Sequence, residues 1–154
     1  MSDLSRNLSW SEVLRGSGYE ANECPKDVLG MMFRHAQASW QPVRDQWGDP
    51  LSIVNSGGIR SPSMNAQCGG SAKSRHMVGD ATDVKLSSRQ ENHAYLALYD
   101  LIDGLQRRKE ITPGGLALYF DFKTKRIRFQ HFDSRGHIAR WNAKHLKAAR
   151  DYYA

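Results

Sequence analysis

The chain has 154 residues, 40% of them hydrophobic, and a formal net charge of +6. At that length a single domain over residues 1–154 can bury about two-thirds of its unfolded surface without disulfide support. No run of about 18 apolar residues occurs, which excludes a helical membrane span, and Met1 to Trp10 carries polar and acidic residues where a secretory signal needs a basic stretch followed by an apolar one.

In chain order, Ser9 or Ser11 can cap a short helix over Glu12 to Leu14. Pro25 to Trp47 reads as helix, with Val28, Met31, Met32 and His35 at helical spacing and Pro42 expected to kink or divide it. After a Gly48-Asp49-Pro50 turn, Leu51 to Val54 suits a short buried strand. Asn55 to Ser74 is rich in Gly, Ser and Asn and is expected to be largely loop. A further strand is expected over Ala81 to Val84. A helix is expected from about Gln90 to Arg107, where Tyr95, Leu98, Leu101, Ile102 and Leu105 share a face. A hairpin follows, with Leu116 to Phe122 and Arg126 to Asp133 flanking a Lys123-Thr124-Lys125 turn. Asn142 to Tyr152 forms the last helix. The expected class is α+β: a small antiparallel sheet with helices packed around it.

Cys24 and Cys68 have no CxxC pairing, so neither a zinc ribbon nor a redox motif is indicated, and both are expected as free thiols. From Lys123 to Ala154 there are nine Lys or Arg against Asp133 and Asp151, so this segment carries the whole positive excess. Such a surface attracts polyanions, whether nucleic acid, anionic cell-wall polymers or acidic membranes, and is equally compatible with a solvated helix without a partner. No nucleic-acid motif accompanies the charge, so nucleic acid is not the expected partner.

The most informative segment, Ser74-Arg75-His76-Met77-Val78-Gly79-Asp80-Ala81-Thr82-Asp83, reads as HxxGxAxD. Imidazole nitrogen and carboxylate oxygen both suit zinc. The spacing exceeds one helical turn and fits a loop running into a strand, with Gly79 turning the backbone and Ala81 leaving room beside the metal. A catalytic zinc needs a third protein ligand, and His131 is the best placed: alternation in Phe129-Gln130-His131-Phe132-Asp133 points Phe129, His131 and Asp133 to one face. Singly, His131 could be a packed histidine and Asp83 a turn carboxylate; their conjunction with His76 makes the metal set, on the sheet. His35, His93, His137 and His145 stay outside it.

These residues resemble the LAS superfamily of zinc peptidases, in the D-Ala-D-Ala carboxypeptidase and L-alanyl-D-glutamate peptidase branch that acts on peptidoglycan. Ser74, His76, Gly79, Ala81 and Asp83 match its SxHxxGxAxD pattern, and His131 its later strand histidine. Further matches are Leu8 to Glu12, Gln41 to Asp45, the Ser56 to Asn65 loop, and Gly114 to Trp141 with its His131-Phe132-Asp133-Ser134-Arg135-Gly136 and Arg140-Trp141. The loop reads Ser56-Gly57-Gly58-Ile59-Arg60-Ser61-Pro62, with Gly-Gly-Ile where the family has Gly-Tyr.

The resemblance implies a Zn2+ cofactor on His76, Asp83 and His131, and hydrolysis of an amide bond in peptidoglycan stem or cross-link peptides; the short chain, lacking an evident capping domain, slightly favours the open site of an endopeptidase over a carboxypeptidase. The resemblance also implies that Arg60 binds substrate or stabilises developing charge, its alternative being a loop arginine bonded to carbonyls, and that Ser74 sits with the substrate. Several family members place a base two or three residues before the last ligand, and a subgroup with an HxD ending lacks it; here those positions hold Phe129 and Arg128, neither of which is a base. Asp133 is then the candidate for catalysis as a base, or for holding a ligand histidine in orientation. The alternative function is a non-catalytic, zinc-containing wall-binding module of Hedgehog-like type. A peptidoglycan substrate without a secretory signal implies synthesis in the cytoplasm and action in the periplasm or wall, after holin-type release as for a phage endolysin, or by dedicated secretion.

Overall fold

The computed structural model describes residues 3–20, 22–87 and 90–154, so Met1 and Ser2 of the N-terminal reading lie outside the described residues. The first helix, α1 (Trp10–Leu14), starts two residues earlier than expected, and its cause is local: the Ser9 side chain accepts from Glu12 N–H while the Glu12 carboxylate accepts from Ser9 N–H. A capping box of this kind satisfies two donors that a helix start leaves orphaned.

The long helical stretch is continuous, not broken at Pro42. It comprises α2 (Lys26–His35), a π-helical turn (Ala36–Trp40) and α3 (Gln41–Trp47). Proline lacks an N–H, and its ring collides with the carbonyl four residues back in an α-helix. The wider π turn absorbs that conflict, with Gln41 N–H reaching Ala36 O five residues back. Gly48, at φ 84°, ends the helix in the left-handed region.

Five strands make one open sheet in the order β1 (Leu51–Ile53), β2 (Ala81–Leu86), β4 (Arg126–Asp133), β3 (Gly115–Asp121), β5 (Ala139–Arg140). All neighbouring pairs are antiparallel except β3 with β5. The fold is therefore α+β, as expected. The β3–β4 hairpin lies within a residue of its expected limits, whereas β5 and the short helix α4 (Pro62–Gln67), inside the presumed loop, carry no apolar period and were not expected. Ser61 caps α4 by accepting from Met64 N–H. The helix α6 (Ala94–Arg107) begins four residues late, and α7 (Ala143–Tyr152) one residue late.

One face of the sheet, with Val84, Leu116, Leu118, Phe120, Ile127 and Phe132, joins Met32 of α2 and Leu98 and Ile102 of α6 in the apolar core. The other face carries Asp83, His131 and Asp133 (strand alternation puts the two sets on opposite sides). Cys24 and Cys68 are both free thiols. Among the described residues no helix is long and apolar enough to cross a membrane.

Candidate metal centre

His76 does not sit in a loop but on a one-turn helix, α5 (Arg75–Val78), capped by Ser74, whose hydroxyl accepts from His76 N–H. Gly79, at φ 100°, closes the turn, and a side chain there would also meet Val28 O at 2.5 Å. The chain then enters β2. Arg75 grips the Asp80 carboxylate with Nε and Nη2 at 3.0 and 2.6 Å, which ties α5 to the start of that strand.

Asp83 and His131 are direct cross-strand partners in the β2–β4 register. Their functional atoms converge with those of His76. The separations are 3.0 Å for His131 Nδ1 to Asp83 Oδ1, and 3.2 Å for both His76 Nε2 to Asp83 Oδ1 and His131 Nδ1 to His76 Nε2. Ligand atoms about 2.0–2.1 Å from a tetrahedral zinc stand about 3.3 Å apart, so the three fit that ion closely. All three residues are buried.

The atoms turned away from this point decide which nitrogens can ligate. His76 Nδ1 lies 2.7 Å from Gly58 O, and a carbonyl only accepts, so Nδ1 carries the proton and Nε2 offers its lone pair. His131 does the reverse: its Nε2 donates to Asp133 Oδ2 at 2.8 Å, leaving Nδ1 for the metal. The Ser56 to Arg60 loop holds both early ligands. Gly57 O accepts from Asp83 N–H at 2.7 Å, Arg60 N–H donates to His76 O at 3.0 Å, and Arg60 Nη2 reaches Asp83 Oδ2 at 3.2 Å. Arg60 Nε also donates to Ser56 O. Arg60 thus bonds a loop carbonyl, as its alternative reading has it, and also touches Asp83.

Asp133 is fully buried and engaged on every side. Its oxygens accept from His131, from Gly115 N–H at 2.8 Å, and from Arg135 Nε and Nη2 at 2.9 and 2.7 Å. Burial favours its neutral form, but these bonds and the His131 charge outweigh it and hold the carboxyl well below its ordinary range. Burial likewise disfavours a charged His131, yet hydrogen bonds to Asp133 and Asp83 and their charges prevail, raising it to about 9 in the metal-free protein. His35, outside the metal set, lies buried with Nδ1 2.7 Å from Ser134 Oγ and Nε2 3.0 Å from Thr82 Oγ1. Burial lowers its pKa to about 3 and keeps it neutral.

A cleft of about 550 Å³ opens over the three ligands, lined also by Arg60, Ser74, Tyr119, Arg128, Phe129, Arg135 and Trp141. The Trp141 ring lies 5.0 Å from that of His131, under the Arg135 guanidinium, and its Nε1 donates to Tyr119 Oη. Among the described residues lining the cleft, Asp83 is the only carboxylate. Sequence reasoning missed the Gly58 carbonyl, which leaves no side-chain signature, and Tyr119, whose place depends on the hairpin register. Arg135 stands in the matched segment after His131 without an expected role, which its place two residues after Asp133 could have suggested.

Two histidines and one carboxylate, oriented by buried partners and opening on a cleft, define the centre of a metal-dependent hydrolase. The Peptidase M15 family profile matches residues 7–100, which include Arg60, Ser74, His76 and Asp83. The chain belongs to that family of the LAS superfamily, the zinc peptidases that act on peptidoglycan. No curated protein matches the chain.

Proposed function

We propose that this zinc metallopeptidase hydrolyses an amide bond in peptidoglycan stem or cross-link peptides, as an endopeptidase in preference to a D-Ala-D-Ala carboxypeptidase. The observation that carries this reading is the cleft: a His76, Asp83 and His131 set fitted to zinc, beneath walls bearing Arg60, Lys73, Arg75, Arg128 and Arg135. Stem peptides are rich in carboxylates, which such walls attract. The preference for internal cleavage is supported by a second cavity of about 780 Å³ that shares Arg128 and Phe129 with the cleft and is lined by Lys85 and Arg126, giving room for chain beyond the scissile bond.

His76, Asp83 and His131 would hold the zinc, which when bound supplies a Lewis acid for the peptide carbonyl and acidifies water. The protein's own contributions are positional. Gly58 O and Asp133 orient the two imidazoles, and Arg60 restrains the second oxygen of Asp83 and lines the cleft, where its charge can stabilise developing negative charge. Ser74 caps α5 and lines the cleft, so it can meet substrate as well. With its oxygens committed to His131, Gly115 and Arg135, Asp133 fits the orienting role better than that of a base. We take the whole chain as one domain. Its basic C-terminal segment suits adhesion to anionic wall polymers, and the substrate implies action in the periplasm or wall after holin-type release or dedicated secretion.

The absence, among the described residues lining the cleft, of a second carboxylate favours one other reading, a zinc-containing wall-binding module of Hedgehog-like type. Digestion of purified muropeptides with and without a chelator, read by mass spectrometry, decides between them. Chelator-sensitive separation of stem or cross-link supports the endopeptidase, loss of a single alanine the carboxypeptidase, and stoichiometric zinc without any release the binding module.

A further inference from the structure

Alternation along β4, counted back from His131, would put Ile127 at the metal face and Arg128 in the core. The strand pairing reverses this. Tyr119 opposes Phe129, but the next residue of β3, Phe120, opposes Ile127, so Arg128 is an extra residue in a β-bulge. Ile127 is consequently packed in the core, and Arg128 lines the metal cleft beside Phe129, its guanidinium 5.8 Å from the Phe129 ring centre. Phe129 in turn stacks on Tyr119 at 4.5 Å, which gives the arginine a firm apolar floor.

The cleft's arginines differ in how they are compensated. Arg60 faces Asp83, Arg75 faces Asp80 and Arg135 faces Asp133. Among the described residues the Arg128 side chain makes no ion pair and no hydrogen bond, although its charge helps to lower the Asp121 carboxyl, so its planar fork is open to a ligand. A guanidinium on an aromatic floor, facing a cleft without a free acid, is matched to a carboxylate, which it can take with two parallel N–H···O bonds. Arg128 also stands where the cleft meets the second cavity.

We propose that Arg128 reads a carboxylate of the peptide substrate next to the metal centre, and that the bulge in β4 exists in the fold to present it. This rests on the peptidase reading above. The probe is the pentapeptide L-Ala-γ-D-Glu-L-Lys-D-Ala-D-Ala, which has two carboxylates, compared with two versions in which one or the other is amidated. Binding to the zinc-loaded protein is measured by calorimetry for the wild type, Arg128→Ala and Arg128→Lys, with cleavage followed on the same samples by mass spectrometry.

One amidation is expected to weaken wild-type binding by about ten- to hundredfold, the range of a charge-assisted hydrogen-bonded pair. In Arg128→Ala the same amidation should change affinity less than about twofold, with Arg128→Lys in between, since ammonium keeps the charge but not the fork. Zinc content and melting temperature of the variants should match the wild type, because the side chain is exposed. Wild-type binding that is undetectable, or indifferent to both amidations, overturns the proposal, as does an Arg128→Ala protein that discriminates like the wild type. Discrimination without cleavage would remove the peptidase reading and leave the role of Arg128 standing. Cleavage without discrimination would do the reverse.

Discussion

His131 points Nδ1 at His76 and Asp83 and its Nε2 at Asp133, 2.8 Å away, so one imidazole joins the metal site to a buried carboxylate. The carboxylate is fastened by Arg135 and Gly115 and cannot follow the ring if it turns. Replacing such an outer partner costs a metal site about 10–100-fold in affinity. Asp133→Asn should therefore weaken zinc binding by that factor, measured by chelator competition, and lower the melting temperature because Arg135 loses its counter-charge. At saturating zinc it should still turn over; a zinc-saturated Asp133→Asn protein with no turnover would assign proton transfer to Asp133 instead.

His76 offers the only ligand atom on α5, and no neighbouring side chain of that helix can replace it. His76→Ala should bind no stoichiometric zinc by elemental analysis and release no peptide. Retention of both would sink the ligand set.

Zinc uptake should be coupled to proton release. In the metal-free protein His131 titrates near 9, above its ordinary 6.5, so its charge adds stability that is full below 6.5 and lost as pH rises through about 9. A metal on Nδ1 must displace that proton. Calorimetry at pH 7–8 in buffers of different ionisation enthalpy should give about one proton released per zinc; a value near zero would contradict the hydrogen-bond pattern.

His35 acts with the opposite sign. Its folded pKa of about 3 lies below the ordinary 6.5, so the stability it confers is complete above pH 6.5 and declines as pH falls from 6.5 towards 3. The slope can reach about 1.4 kcal/mol per pH unit. His35→Gln, which can still bond Ser134 and Thr82, should flatten the acid limb of stability in zinc-free protein measured by urea unfolding. An unchanged acid limb would show that His35 is not the group responsible.

Gly58 is held between the His76 ring and the backbone of Val13. Its carbonyl accepts a hydrogen bond from His76 Nδ1–H, and an added Cβ would meet Val13 O at 2.4 Å and Val13 Cα at 2.6 Å, atoms that cannot swing aside. Gly58→Ala should lose both stability and zinc affinity. A variant with wild-type melting and zinc binding would mean that α1 can move away freely.

The sequence alone was enough to identify features whose causes lie within a few residues or in the chemistry of the side chains. A cap at Ser9 or Ser11 lies within three residues of the helix turn it starts, the β3–β4 hairpin follows from alternation around a short turn, and His76, Asp83 and His131 are brought forward by ligand type, motif spacing and strand alternation. Tertiary structure decided what depends on partners distant in the chain. The metal-facing nitrogen of His131 follows from Asp133 being held by Arg135 and Gly115. That of His76 follows from a carbonyl brought in by a loop 18 residues earlier. The π turn ahead of Pro42 and the parallel pairing of β5 leave no periodic trace. Arg128 is the sharpest case, because alternation alone sends it into the core. Only the register of β3 against β4, set by packing Phe120 and Ile127 together on the apolar face, brings it out beside the metal centre.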